Sequence, residues 1–267
     1  MEVKLLEKIT KEVKANRKVA LATITRSEGS TPGREGAMML VLEGGETYGT
    51  VGGGKAENII TTAAVKCLEN CRSESFHFQL NDGIGGIQMQ CGGEIDVYIK
   101  VFVPTLKLLI VGGGHIALKL YEIAATINFD TVIFEDREDY CNKDRFPKAQ
   151  EIILGDIEGN LNNYDIDENC YVVIVTRGHS HDEIALKSVI NTNAAYIGMI
   201  GSKNKVQNTM ENLRKEGVSE EVMNKVFAPI GIDLGGNTPE EIALSILSEI
   251  ILVKNKGRLL HMKEARK

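Results

Sequence analysis

The chain has 267 residues, with 31 Lys and Arg against 37 Asp and Glu and a formal net charge of −6. That length allows one large α/β domain or two smaller ones with a proper core. The charge, with no basic block along the chain, excludes a protein that holds DNA or RNA by neutralising phosphates, and 43% hydrophobic content excludes a mainly disordered chain.

Five cysteines (Cys67, Cys71, Cys91, Cys141 and Cys170), an odd number with no C-x-x-C pair, indicate neither a disulfide framework nor a zinc knuckle. The N-terminal MEVKLLEKITKEVK alternates charged and apolar residues, unlike a signal peptide, and no stretch is apolar enough for a membrane span, so the expectation is a soluble, cytoplasmic protein.

Residues 2–16 carry Val3, Leu6, Ile9 and Val13 at spacings of three and four, which predicts an amphipathic helix covering a sheet. KVALATIT (18–25) reads as a strand, and AMMLVL (37–42) with ETYGTV (46–51) as a hairpin around Glu43-Gly44-Gly45. A glycine triplet, Gly52 to Gly54, leads into a helix over 55–71. A glycine-rich loop (82–87), Cys91-Gly92-Gly93 and the alternating strand EIDVYIKVF (94–102) follow. Together these make an N-terminal α+β domain, 1–103.

From Pro104 the pattern changes, and a second domain over 104–267 is expected. LKLLIV (106–111), TVIFE (131–135), EIIL (151–154), YVVIVT (171–176) and AYIGMI (195–200) are continuously apolar, as strands covered on both faces must be. The expected fold is a doubly wound, Rossmann-like parallel sheet. Ser180 with Glu183 and Thr238 with Glu241 both have capping-box spacing. The last helix, IALSILSEIILV, is apolar around most of its circumference, which fits burial within one subunit or between two.

The strongest local signal is Gly112-x-Gly114-x-x-Ala117, following a strand and opening a helix. Gly112 permits the tight turn, Gly114 removes a side chain that would block a phosphate, and Ala117 lets helix and strand pack closely. The helix N-terminus, at His115, offers free N–H groups and partial positive charge. Asp136, 22 positions after Gly114, ends the next predicted strand, where an acid can accept ribose hydroxyls. Read alone, this is the fingerprint of an NAD(P)-dependent oxidoreductase, with His115 or His179 for proton transfer.

Around Gly52, Gly53, Gly54 and Lys55 the spacing imitates a P-loop, but Ala56 stands where a Mg²⁺-binding hydroxyl is needed, so ATP hydrolysis is disfavoured. Two readings stay open: backbone amides holding a phosphate, or glycines needed for close backbone approach. RSEGSTPGR (26–34) is either a recognition loop with Arg34 pairing an anion or a solvated turn. Cys91, before two glycines, is either an accessible thiol or a small buried residue. In TRGHSHD (176–182), ligand contact by Arg177 and His179 is preferred to a metal site built from His179, His181 and Asp182.

The segments EGSTPGREGAMMLV, GTVGGGKAEN, CGGEIDVYI, IVGGGHIA, VIFEDRE, VTRGHSHD, AYIGMIGSKNK and APIGIDLGGNTPEEIALSILSEI, in this order, resemble the XdhC/CoxI family, the xanthine dehydrogenase accessory proteins. The resemblance implies a molybdenum-cofactor chaperone rather than an enzyme. Such a protein holds the cofactor, as molybdopterin or its dinucleotide form, while a cysteine desulfurase supplies the sulfido ligand. It then passes the cofactor to an apo molybdenum hydroxylase such as xanthine dehydrogenase. Family members commonly form homodimers. The resemblance further implies cofactor contacts at Gly29, Ser30, Thr31, Pro32, Gly52 to Gly54, Glu57, Cys91, Gly92 and Gly93. In the second domain it implies Gly112, Gly114, His115, Asp136, Arg177, His179, His181 and Asp182. Many relatives have Cys where this chain has Lys55, which makes Cys91 the candidate for touching molybdenum or relaying persulfide sulfur. The remaining alternative is a scaffold that recruits the hydroxylase or the desulfurase without holding cofactor.

Overall fold

The computed structural model describes residues 2–80 and 93–265. The chain forms two compact units, 1–104 and 105–267.

The first unit runs α1 (Glu2–Lys14), β1 (Val19–Glu28), β2 (Met38–Leu42), β3 (Thr47–Gly49), α2 (Gly54–Glu69), β4 (Glu74–Leu80) and β5 (Gly93–Phe102). The strands form an antiparallel sheet in the order β3-β2-β1-β5-β4. Alternation places Ala20, Ala22, Ile24, Ile95, Val97 and Ile99 on one face, where they pack with Ile60, Ala64, Cys67 and Leu68 of α2. Sequence reading assigns no element to β4. It is an edge strand whose ESFHFQL buries only Leu80, so it lacks the apolar content that marks the others.

Helix α1 lies against β1 and β2 as expected, but with a different face inward. Leu5 and Ile9 join Val19 and Leu40, while Val3 and Leu6, two members of the expected stripe, are 67% and 58% exposed. The rotation accompanies Glu12, which is buried on the inner side and ion-paired to Lys8 (2.7 Å) and Arg17 (2.5 Å). A periodicity count treats such a carboxylate as a solvent residue.

The second unit runs β6 (Leu106–Val111), α3 (His115–Ala124), β7 (Phe129–Glu135), β8 (Glu151–Leu154), α4 (Ile157–Asn163), β9 (Cys170–Ile174), α5 (His179–Val189), β10 (Tyr196–Met199), α6 (Lys203–Lys215), α7 (Glu220–Met223), β11 (Val226–Phe227), α8 (Pro239–Lys254) and α9 (Met262–Ala265). The sheet is wholly parallel in the order β11-β10-β9-β6-β7-β8, the doubly wound arrangement expected. Successive residues of β6 feed opposite cores. Leu109 and Val111 pack with α4, α5 and α6, and Leu108 and Ile110 with α3 and α8. The two-residue β11 carries no signal in the sequence.

Thr238 caps α8 in a full capping box with Glu241. The second expected box does not form: α5 begins two residues earlier, with Gly178 as its N-cap and no side-chain cap, and Glu183 binds Lys187 (2.9 Å) and Asn212 (3.0 Å) instead. Helix α8 buries Ala243, Ile246, Leu247 and Ile250 within its own unit and leaves Leu244 and Ile251 exposed. No helix among the described residues is long and apolar enough to cross a membrane.

Candidate functional site at the switch point of the parallel sheet

The order in which strands are added reverses between β6 and β9, so the loops after these parallel strands diverge and leave a crevice at their carboxyl ends. The Gly112–Gly114 turn forms one wall. Gly112 has φ +114°, and a Cβ there would lie 2.5 Å from the Val175 carbonyl oxygen, so glycine is required by both backbone conformation and space. A Cβ on Gly113 would meet the Tyr140 carbonyl oxygen at 2.3 Å. Gly114 differs: nothing lies within 4 Å of where its Cβ would be. It is the N-cap of α3 with no side-chain cap, and the first turn of that helix carries no acid. The turn is therefore closed underneath by packing and open above at Gly114, where the start of α3 carries neither a side-chain cap nor an acid of its own. Ala117 is fully buried beneath it and His115 is exposed at the first helical position.

Glu135, the last residue of β7 and only 3% exposed, binds this turn directly. It accepts from the Gly113 N–H (2.7 Å), from the backbone N–H groups of Asp136 and Arg137, and from the Arg137 guanidinium (2.9 and 2.8 Å). Burial pushes the Glu135 carboxyl up, but the Arg137 guanidinium, the Asp136 side chain and the Gly113 N–H outweigh it and hold the group at about 2. Arg145 binds the turn from the other side, donating to the carbonyl oxygens of Gly113 (2.9 Å) and Gly114 (3.1 Å). Both guanidiniums lie over the Tyr140 ring, at 4.0 and 5.4 Å from its centroid. Sequence reading singles out none of Glu135, Arg137 and Arg145. Glu135 has a faint signal, as a carboxylate closing an apolar run. Arg145 has none, since it lies 32 positions from the glycine it holds.

Asp136, one residue past β7, is the more accessible acid. Its carboxylate pairs with Arg177 from the loop after β9 (2.8 Å) and lies 3.9 Å from His181 Nε2. The fold thus brings Asp136, Arg177 and His181 together across the carboxyl edge. Asp182 stands apart from them. It is 8% exposed and accepts from the Thr176 hydroxyl (2.6 Å) and N–H (3.1 Å), fixing the loop that carries Arg177. His179 opens α5.

In the first unit the glycines pack loops against one another. A Cβ on Gly52, which has φ +118°, would overlap the Pro32 carbonyl carbon at 2.3 Å, and one on Gly93 the Ser30 carbonyl oxygen at 2.5 Å. Thr31 and Ser27 hydroxyls lie 2.6 Å apart, each within reach of the Gly33 carbonyl oxygen. Glu57 reaches back from α2 to accept from Gly53 N–H (3.0 Å), Val51 N–H (3.2 Å) and the Thr50 hydroxyl (2.5 Å). Of the two readings for this loop, close backbone approach is what Gly52 exhibits, and the Gly53 amide is already engaged. Gly29, Ser30, Arg34, Gly54 and Lys55 are exposed around these loops. Cys91 and Gly92 lie outside the described residues. Among the described residues no three His, Cys, Asp or Glu side chains are grouped to hold a metal ion.

Known proteins share this chain's sequence pattern and fold. Residues 108–250 match the XdhC Rossmann domain and residues 13–79 match the XdhC and CoxI family. The chain is 33% identical over 240 residues to YqeB of Escherichia coli K12, covering 89% of this chain and 44% of that protein. It is 26% identical to a probable subunit of xanthine dehydrogenase from Bacillus subtilis 168, over 60% of this chain and 47% of that protein. It is 23% identical to the molybdenum cofactor insertion chaperone PaoD of Escherichia coli K12, over 66% of this chain and 48% of that protein. The chain spans about half the length of the curated relatives it matches. A crystal structure described as a xanthine dehydrogenase from Bacillus halodurans shares the fold, with a TM-score of 0.53 and 22% identity over 95% of this chain and 96% of that one.

Proposed function

The chain belongs to the XdhC and CoxI family, and from that premise we propose that it is a maturation factor: it binds the molybdenum cofactor as cargo, presents it to a cysteine desulfurase for sulfuration and delivers it to a molybdenum hydroxylase such as xanthine dehydrogenase. The names of two relatives, a molybdenum cofactor insertion chaperone and a probable xanthine dehydrogenase subunit, support this reading.

The observation that carries it is the open face of Gly114. An anion set there meets the uncapped N-terminus of α3, with Arg177 on the opposite loop of the crevice. Molybdopterin ends in a phosphate, so its tail fits a cradle made of main-chain amides that binds without reacting. In this reading Glu135, Arg137 and Arg145 hold the turn in shape, Asp182 holds the facing loop, and Asp136, Arg177 and His181 contact the cargo. His115 and His179 start their helices at the same edge. Within the first unit, the residues that the family resemblance implies, Gly29 to Pro32, Gly52 to Gly54, Glu57, Cys91, Gly92 and Gly93, form a cofactor-contacting set of their own, with Cys91 as the thiol for sulfur relay. The homodimer implied by the family would cover the exposed Leu244 and Ile251 of α8.

Incubating the purified chain with molybdenum cofactor released from a molybdoenzyme, and separately with NADH, followed by gel filtration, tests this. Molybdenum and the pterin's oxidised fluorescent product are expected to co-elute with the protein. Retention of NADH in place of the pterin would establish the oxidoreductase alternative, and retention of neither would leave the scaffold.

A further inference from the structure

Helix α8 answers to both alternatives that its all-round apolar sequence leaves open. Its inner side is buried within its own unit, yet Leu244 (51% exposed) and Ile251 (38%) stand on the outer side, seven positions apart and so on one stripe. Ser248 lies between them on that stripe. Its hydroxyl already donates to the Leu244 carbonyl oxygen (2.7 Å), so it can enter a dry contact with its proton satisfied. Past the helix, the Gly257 N–H returns to the Leu252 carbonyl oxygen (2.8 Å) and the chain turns into an arm, residues 258–265. Helix and arm enclose a groove of about 680 Å³, lined by Ser248, Ile251 and Leu252 on one side and Leu260 and Met262 on the other. Among the described residues the arm's backbone hydrogen bonds beyond Gly257 are its own, and Leu259, Leu260 and Met262 are exposed.

Exposed aliphatic side chains gathered on one stripe and one arm mark a contact surface, and the order of residues along α8 says what fits it. Laid antiparallel against itself about a two-fold axis beside Ser248, the helix sets each Leu244 against the other copy's Ile251, because the two positions are equally far from that point. The ends match as well. The helix begins with Glu240 and Glu241 and ends with Lys254, followed by Lys256 and Arg258, neither of which is ion-paired among the described residues. Antiparallel packing brings the acidic start of each helix to the basic end of the other and opposes the two helix dipoles. An unrelated partner would need only the apolar stripe. Stripe and charges that both complement themselves are what an isologous contact between identical chains requires, since every pairing in it occurs twice.

We propose that the groove between α8 and the arm seats α8 of a second copy of this chain, antiparallel, with Leu244 of each against Ile251 of the other and Ser248 at the crossing. Leu260 and Met262 of each arm then close over the facing helix. The proposal rests on the homodimer of the reading above and deepens it, because it assigns the surface that pairs and the direction of pairing. Helix α8 follows β11 and so starts at the carboxyl edge of the parallel sheet. In the antiparallel pair the two edges face opposite ways, and each Gly114 face stays open to its own cargo.

Sedimentation equilibrium of the full chain, with cysteine cross-linking, tests it. The chain is expected to dimerise. Leu244→Glu and Ile251→Glu, both at positions exposed in the single chain and checked for an unchanged far-ultraviolet circular dichroism spectrum, are each expected to raise the dissociation constant about tenfold or more. Leu244→Cys and Ile251→Cys read the direction. Under mild oxidation each variant alone is expected to cross-link no more than the wild type, whose own cysteines set the background, and a mixture of the two, after subunit exchange, to yield a disulfide-linked dimer. A chain that stays monomeric at every concentration, a dimer that survives both Glu variants, or cross-linking of Leu244→Cys with itself overturns the proposal. The two readings fail separately. A monomer that retains molybdenum cofactor removes this interface and leaves the carrier, and a dimer broken at α8 that retains none does the reverse.

Discussion

The Gly113 N–H points at the Glu135 carboxylate, 2.7 Å away, so this chain closes one amide of its own glycine turn with the acid that ends the neighbouring strand. The first unit repeats the arrangement with Gly53 and Glu57 at 3.0 Å. In both loops the internal carboxylate takes an amide that would otherwise be free to bind an anion. At the β6–α3 turn the open face is therefore at Gly114 and the start of α3.

The three glycines of that turn consequently should not respond alike. Gly112→Ala combines a positive φ with a clash against the Val175 carbonyl, and is expected to cost about 2 kcal/mol or more. Gly114→Asp places a good N-cap at a position with φ −69° and free space, so it should keep or raise the melting temperature. It also puts a negative charge where the cargo's phosphate would sit, and cofactor retention should fall about tenfold or more. Thermal melts and retention assays on the two variants check both parts.

The Glu135–Arg137 pair makes stability depend on acid. Because the folded carboxyl titrates at about 2, below its ordinary value of 4.5, its contribution is complete above pH 4.5 and disappears as pH falls toward 2. Glu135→Gln is expected to cost about 2–3 kcal/mol at neutral pH, through loss of charge-assisted bonds to Arg137 and Gly113. Urea midpoints measured from pH 7 to pH 2 should converge for the two proteins at the acid end.

Asp182 is expected to act through Thr176. Asp182→Ala leaves the Thr176 N–H and hydroxyl without their acceptor and should destabilise the second unit by about 1–3 kcal/mol. Combined with Thr176→Val, the cost should fall short of the sum by more than about 0.5 kcal/mol, because the two changes remove one shared contact. A double-mutant cycle reads this directly.

Two caps with similar sequence signatures should separate. Thr238→Ala removes a formed capping box and is expected to cost about 1 kcal/mol. Ser180→Ala, at a residue already inside α5, should change stability by less than about 0.5 kcal/mol. Parallel denaturation curves decide it.

Much of this molecule follows from local pattern. The apolar runs at 106–111, 131–135 and 171–176 specify strands buried on both faces, and with helices between them a doubly wound parallel sheet results. The Gly112-x-Gly114-x-x-Ala117 turn is equally local, since its steric demands fall within a few residues. What the pattern misses depends on partners distant in sequence. Helix α1 turns Leu5 inward instead of Leu6 while Glu12 is buried with Arg17, and periodicity counts apolar residues but not buried ion pairs. Edge strand β4 pairs along β5 with little burial of its own, so its register comes from the ladder and not from its side chains. At the site, sequence spacing singles out Asp136 but cannot say that Glu135 is consumed by Gly113, that Arg145 grips the turn, or that Arg177 crosses to Asp136 from 41 positions away. Those contacts exist only because parallel strands deliver their carboxyl ends to one edge, where side chains far apart in the chain become neighbours.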